Sequence, residues 1–315
     1  MIPQKLIENG IKQENLTKNK IKQDISIILP AKNEASSLKE LLPLLKQQYP
    51  TAEIIVVDDG SNDDTYAICQ SFAIKILRHP YSMGNGAAIK TGVRAATGDI
   101  LVFMDADGQH DPKDIPRLLE KMASYEMVVG ARQADTHASL QRRLANSLYN
   151  RLASFMTGYR IEDLTSGLRA ARARHFRKFL YLLPNGFSYP TTCTMAFFRS
   201  GFPVTYVKIQ AKQREGKSHI RLITDGLRFL IIILKIGVLF SPMRLFLPIS
   251  TALFCMGICY YAYTYMSMGR FTNMSALLFI SSLIIFLIGI VSEQIAILNY
   301  KGVDEDQRRI QRHKK

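Results

Sequence analysis

Ile100-Leu101-Val102-Phe103-Met104-Asp105-Ala106-Asp107-Gly108-Gln109-His110-Asp111-Pro112 is the stretch around which this 315-residue chain is organised. Ile100 to Met104 is a short, wholly apolar run, the pattern of a strand buried on both faces of a sheet. It stops in two carboxylates at alternate positions, Asp105 and Asp107, with Gly108 following where the backbone must turn. Once the chain leaves the pleat, both carboxylates can reach one hard divalent cation, with the Gln109 amide as a neutral third oxygen donor. Mg²⁺ and Mn²⁺ favour such ligands and often complete their shell with substrate phosphates. An Asp-X-Asp-Gly run after a strand also serves as a plain turn cap, so the surrounding chain has to separate the two readings. His110 reads as structural, not as a ligand.

Outward from this stretch, apolar strand-like runs and helix-periodic segments alternate. Further strands are expected at 25–29, 53–57, 74–77, 127–129 and 204–209. Helices are expected at 35–48, from near Asp63, from Met83 to about Ala96, after the Asp105 strand, within the basic segment 133–160 (Arg142, Arg143, Arg151), and twice between Arg169 and Val204. This alternation predicts an α/β protein with an open, mainly parallel sheet flanked by helices, whose ligands bind beyond the C-terminal strand ends. The polar clusters Asn33/Glu34, Asp58/Asp59, Asp105/Asp107 and Arg132 all fall at such ends. Each has a plainer alternative: Asp59 and Asp63 as turn and helix caps, Gly84 and Gly86 as backbone necessities, Arg132 as the partner of an acid at the sheet edge.

The net charge of +15 and pI near 9.7 call for an anionic partner: nucleic acid, a phosphorylated substrate or a membrane surface. Mean hydropathy is +0.01 because a polar front half is averaged with an apolar back end. Cys69, Cys193, Cys255 and Cys259 show no paired ligand spacing, which fits structural thiols in a reducing compartment and argues against a zinc site or disulfide framework. Residues 1–24 carry lysines and asparagines without an apolar core, and are expected to be a loosely docked arm and not a cleavable signal peptide.

No charged residue lies between Arg244 and Arg270, or between Arg270 and Glu293. Each interval exceeds the roughly 20 residues a spanning helix needs. Spans are expected at 245–267 and 274–297, joined by a turn containing Arg270. The tail carries Arg308, Arg309, Arg312, Lys314 and Lys315, so the positive-inside rule places the tail and the catalytic part in the cytoplasm, on an inner or plasma membrane. Ahead of the spans, Arg221, Arg228 and Lys235 recur every seven residues among Leu, Ile, Val and Phe, the pattern of an amphipathic helix lying at the headgroups. The expected organisation is an arm (1–24), a catalytic domain (25–217), an interfacial helical segment (218–243), a two-span hairpin (244–300) and a basic tail (301–315). Small residues such as Gly257 and Ser281 permit close helix approach and thus self-association.

In this order, PAKNE at 30–34, DDGSNDDT at 58–65, DADGQH at 105–110, GAR at 130–132 and DLTSGLR at 163–169 resemble the GT-A fold glycosyltransferases of family 2. The likeness is greater to the branch that glycosylates dolichyl or undecaprenyl phosphate. Two departures are informative. The chain has no tryptophan, and so lacks the Gln-x-x-Arg-Trp motif of processive synthases. Ser188 to Thr194 also lacks the carboxylate that relatives use as a base, and an ionised lipid phosphate needs none.

The resemblance implies a nucleotide diphosphate sugar donor, UDP- or GDP-linked, held by Pro30, Asn33, Glu34, Asp58, Gly60, Lys90, Asp105, Ala106, Asp107 and Arg132. Asp105, Asp107 and Gln109 would bind Mg²⁺ or Mn²⁺, with Arg132 as a second cation at the diphosphate. The polyprenyl phosphate would meet Ser166, Arg169, Arg214 and Lys217, the last alternatively a headgroup anchor. Asp163 is placed in the reaction by family likeness, as an orienting or charge-stabilising group beside Asp107 and Arg132. One displacement would invert the anomeric centre. The competing readings are a sugar nucleotidyltransferase and a non-catalytic nucleotide-sugar-binding or scaffolding membrane protein. A nucleic-acid partner is set aside, because basic residues are not interleaved with aromatics.

Overall fold

The apolar runs become strands because each finds at least one neighbouring strand to pair with. In the computed structural model, which describes residues 24–132, 140–186, 188–210 and 230–312 except 232, 236 and 240, seven strands form one sheet in the order β3-β2-β1-β4-β6-β5-β7. These are β1 (Ile25–Ala31), β2 (Glu53–Asp58), β3 (Lys75–Arg78), β4 (Ile100–Phe103), β5 (Met127–Arg132), β6 (Arg169–Arg172) and β7 (Val204–Ile209). β1 pairs in parallel with β2 and β4, β2 with β3, and β5 with β7, whereas β6 is antiparallel to both β4 and β5. Six strands therefore point the same way, and β6 alone is reversed.

β6 is the element missed in the sequence, where helices were expected to follow Arg169 directly. Arg-Ala-Ala-Arg has little strand propensity, and tertiary packing overrides it: Ala170 and Ala171 are fully buried between two layers. The reversal has a consequence for the site. Arg169 lies opposite Phe103 and Val129, so the start of β6 and the segment before it sit at the edge where the other six strands end.

Alternate strand residues feed two cores. On one face Ile27, Leu29, Ile54, Val56 and Val102 meet Leu38, Leu42 and Leu45 of α1 (Ala35–Gln48), Cys69 of α2 (Thr65–Gln70) and Leu118 of α4 (Ile115–Lys121). On the other, Ile28, Ile55, Val57, Leu101 and Phe103 meet Ile89 and Val93 of α3 (Asn85–Ala95), Met156 of α5 (Leu140–Thr157), Phe176 of α6 (Ala173–Lys178) and Phe197 of α7 (Tyr189–Arg199). Phe103 and Phe176 rings lie 4.6 Å apart at the centre of this second core. Both faces of the central strands are dry, as the unbroken apolar runs demand.

The back end is a helical hairpin, α8 (Pro242–Met268) and α9 (Asn273–Arg312), turning at Gly269 with φ 64°. Both helices, Pro242–Met268 and the stretch Asn273–Leu298, are long and apolar enough to cross a membrane, each containing an 18-residue window of mean hydropathy 1.7 and 2.7 respectively. Only 11% and 17% of those windows is buried, whereas the core helix of a soluble protein is mostly buried. Gly257 lies against the Phe279 ring and Ser282 donates to the Ser250 carbonyl at 2.9 Å. Close approach at Gly257 is thus used inside the hairpin. α9 does not stop near residue 300 but continues helically to Arg312. Of the expected interfacial helix, residues 230–231, 233–235 and 237–239 are helical, with Ile233 buried and Lys235 exposed; Arg221 and Arg228 lie outside the described residues.

Candidate active site

Every polar cluster expected at the strand ends reaches the same sheet edge, but the side chains divide into those that build the edge and those that face outward. The loop after β2 is construction. Asp58 is fully buried, accepting from the Ser61 N–H at 2.9 Å and lying 3.2 Å from the Arg78 Nε. Asp59 accepts from the N–H groups of Met83 and Gly84, from the Ser82 hydroxyl, and pairs with the His79 ring at 2.7 Å. Burial pushes the Asp59 carboxyl up, but these bonds outweigh it and hold the group below the ordinary carboxylate range. Asp63 accepts from the Ala35 N–H at 3.2 Å and from Thr65, fastening the start of α1 to the start of α2. Asn33, at φ 56°, receives the Asn62 N–H on its side-chain oxygen and gives its own N–H to Ser61. Asp59 and Asp63 are therefore turn- and helix-holding groups, the plainer of their two sequence readings.

The glycine-rich entry to α3 is also construction. Gly86 and Ala87 N–H groups donate to the carbonyls of Gly186 and Asn185 at 3.1 and 2.9 Å, so the helix start is occupied by protein. Lys90 donates to the Leu183 carbonyl at 3.2 Å and to the Asn185 side chain. Lys90, expected at the donor, is here tied to the 183–186 turn. Pro30 is buried in β1, Ala106 is buried in the turn after β4, and the Asp58 side chain is taken up as above. This tie to residues 183–186 was unreadable in the sequence, because nothing marks a contact between segments 93 and 95 residues apart.

At the end of β4, Asp105 and Asp107 are partly exposed, and Asp107 accepts from the Gln109 N–H at 3.2 Å. Gly167, just before β6, packs against Asp105 so tightly that a Cβ would sit 2.0 Å from Oδ2. His110 is buried, with Nε2 3.9 Å from the same oxygen. Burial, followed by the opposing fields of Asp107 and Arg132, lowers its pKa to about 4, so the ring is neutral near pH 7. Among the described residues no three His, Cys, Asp or Glu side chains form a metal cage. What this edge offers is two partly exposed carboxylates and the half-buried Gln109, the donor set of an open oxygen site that Mg²⁺ or Mn²⁺ completes with water and phosphate. Those residues fit such an ion.

Beside them, at the end of β5, Arg132 grips Asp163. Its Nε donates to Oδ2 at 2.9 Å and Nη2 to Oδ1 at 3.1 Å, while its backbone N–H also donates to Oδ2. Asp163 accepts in addition from the N–H groups of Thr165 and Ser166 at 3.0 and 3.1 Å. Burial would raise its pKa, but the Arg132 hydrogen bonds and charge bring it below the usual range. A carboxylate so fully engaged stays ionised and is a poor proton acceptor.

Arg169 departs from its sequence reading. It is 0% exposed and donates to Pro190 O, Cys193 Sγ, Thr194 Oγ1 and Ser166 O, with its guanidinium 5.6 Å from the Tyr189 ring centroid. An acceptor contact was expected; the structure gives it the job of tying β6 to the first turn of α7. Ser166 is likewise fully buried. Arg214 and Lys217 lie outside the described residues. The start of α7 carries no carboxylate, and Thr191, Thr192 and Thr194 are all buried.

A mostly parallel sheet with one reversed strand, flanked on both faces by helices and carrying an Asp-X-Asp turn at the end of its central strand, is the GT-A fold of nucleotide-sugar-dependent glycosyltransferases. Residues 26–180 match the Glycosyl transferase family 2 domain, and residues 241–298 match the GtrB C-terminal hairpin. Undecaprenyl-phosphate mannosyltransferase from Micrococcus luteus is 32% identical over 206 residues, which cover 60% of this chain and 83% of that one. Undecaprenyl-phosphate 4-deoxy-4-formamido-L-arabinose transferase from Klebsiella pneumoniae is 35% identical over 164 residues, 48% of this chain and 49% of that one. The chain thus spans about half the length of the latter relative. Glucosyl-3-phosphoglycerate synthase from Mycobacterium tuberculosis, solved with Mn²⁺, UDP and glucosyl-3-phosphoglycerate, superimposes with a TM-score of 0.59 at 20% identity over 71% of this chain and 83% of that one, a likeness of fold. The chain belongs to glycosyl transferase family 2 and is a glycosyltransferase.

Proposed function

We propose that this glycosyltransferase moves a sugar from a nucleotide diphosphate sugar to a polyprenyl phosphate in the membrane, giving a polyprenyl-phosphate-linked monosaccharide. The observation that carries the reading is the union, in one chain, of an open Asp105/Asp107 edge with an apolar helical hairpin. The names of two relatives, both undecaprenyl-phosphate sugar transferases, support it.

An ionised phosphate oxygen of the lipid attacks the anomeric carbon. The bond from that carbon to the diphosphate breaks, and its electron pair leaves with the nucleotide. No proton has to be removed from the attacking oxygen, in keeping with the absence of a carboxylate on α7 and the depressed pKa of Asp163. A single displacement inverts the anomeric configuration. Asp105 and Asp107, with Gln109, would hold Mg²⁺ or Mn²⁺, which when bound neutralises charge on the departing diphosphate. Arg132 adds a guanidinium at the same edge, and Asp163 is a positioning residue that sets its direction through the paired hydrogen bonds. Asn33 and Glu34, just after β1, would meet the nucleoside. The catalytic domain and both chain ends would face the cytoplasm.

Purified protein in detergent, undecaprenyl phosphate, Mg²⁺ or Mn²⁺ and a panel of UDP- and GDP-sugars, read by mass spectrometry of the organic extract, tests this. A sugar-phosphate-lipid ion from one donor, lost on chelation, is the expected result. Nucleotide release without a lipid product would overturn the acceptor, and pyrophosphate release would instead indicate a nucleotidyltransferase. Folded protein inactive with every donor would favour a binding or scaffolding role.

A further inference from the structure

The hairpin is not simply strung after the catalytic domain; one charged side chain joins them. Arg244, in the first turn of α8, donates from Nη1 to the Phe155 carbonyl at 2.9 Å. That carbonyl belongs to the last turn of α5, where the helix leaves acceptors unpaired and its dipole favours a cation. Gly158 follows at φ +81°, and an added Cβ would lie 2.5 Å from the same guanidinium nitrogen. Next to this contact, Gly237 admits Met156 so closely that a Cβ would be 2.2 Å from its terminal methyl. Across the hairpin, Glu293 of α9 accepts the Met243 N–H at 3.3 Å, holding the start of α8 from its other side.

α5 in turn is bonded to the segment that carries the site. Asn150 donates to the Glu162 carbonyl at 2.8 Å and accepts the Leu164 N–H at 3.2 Å, while Ser154 accepts the Ile161 N–H at 3.0 Å. Asp163, between these anchors, holds Arg132. These bonds, linked through the backbone of α5 and of residues 161–164, therefore connect the base of the hairpin to the charged pair beside Asp105 and Asp107.

We infer that Arg244 is a positioning residue that fixes the catalytic edge relative to the membrane hairpin, so that a lipid phosphate confined to the bilayer surface is met at the right height and orientation. This rests on the proposed lipid acceptor. Its signature is selective: a soluble acceptor reaches the edge from any height, whereas a membrane-bound one depends on the joint.

Full-length protein in nanodiscs is assayed with undecaprenyl phosphate and, separately, with a short water-soluble prenyl phosphate. Arg244→Ala is expected to lower kcat/KM for the long lipid by on the order of tenfold, because small misplacements cost orders of magnitude in rate, and to change that for the soluble acceptor less than about twofold. Arg244→Lys, which keeps one donor for the carbonyl, should recover most of the loss. Equal losses with both acceptors, or none with either, would overturn the inference. A second measurement is independent of turnover: spin labels at Lys39→Cys and Met266→Cys, with the exposed Cys255 and Cys259 changed to serine. The interlabel distance distribution should broaden in Arg244→Ala and narrow again in Arg244→Lys; an unbroadened distribution refutes the joint even if the wild-type protein proves to use another acceptor.

Discussion

Replacing Gly167 with alanine tests the site through a single methyl group. Gly167 has an ordinary backbone conformation, so alanine adds no φ strain, and the whole effect is steric. Its Cβ would stand 2.0 Å from Asp105 Oδ2, where real Cβ contacts essentially never fall below 3.0 Å. The carboxylate has to retreat by about 1 Å, and it can, being the end of a side chain and not backbone. The fold should therefore survive, with a stability cost of about 1 kcal/mol at the low end of overpacking changes. The oxygen that moves is one of the two proposed cation ligands, and a misplacement of about 1 Å in a catalytic constellation costs on the order of 100-fold. The assay is initial transfer rate against Mn²⁺ concentration, with a thermal melt in the same detergent. Reduced rate and a raised Mn²⁺ half-saturation, with a nearly unchanged melt, are expected. Transfer within about threefold of wild type at unchanged Mn²⁺ half-saturation would refute the placement of Asp105 as a working ligand.

Gly86→Ala should act on stability instead, because its Cβ would lie 1.9 Å from the Pro184 carbonyl oxygen, which is backbone and cannot swing away. A loss of about 1–3 kcal/mol is expected, seen as a lower melting temperature; Gly92→Ala, which meets side chains and no backbone, the nearest being the Ile28 Cγ2 methyl at 2.5 Å, should cost less. His110 has a folded pKa of about 4 against 6.5 for the free side chain, so between those values the unfolded chain takes up a proton that the folded chain refuses. Stability must then fall as pH drops from about 6.5 to about 4, by roughly 3 kcal/mol from this group. His110→Gln should flatten that part of a pH–stability curve measured by denaturant melts, leaving the similar contribution of buried His175 in place; an unchanged slope would refute it.

Much of this molecule was legible locally. Unbroken apolar runs such as 100–104, bounded by turn residues, suit strands buried on both faces, and the two long uncharged intervals on either side of Arg270 suit long apolar helices. Residue order alone also put Asp105, Asp107 and Arg132 at strand ends, since a parallel sheet brings all such ends to one edge. What required tertiary structure was everything that depends on long-range pairing. The strand Arg169–Arg172 exists because flanking strands and two buried alanines recruit it against its propensity. Arg169 carries a charge that suggests a lipid phosphate and Lys90 one that suggests the donor; the fold brings both to partners distant in sequence, Cys193 with Thr194 and Leu183 with Asn185. The grip of Asp163 on Arg132, and of Arg244 on Phe155, likewise joins residues 31 and 89 positions apart. A sequence shows which side chains can bear charge; only the fold decides whether that charge meets another part of the chain or is left facing a substrate.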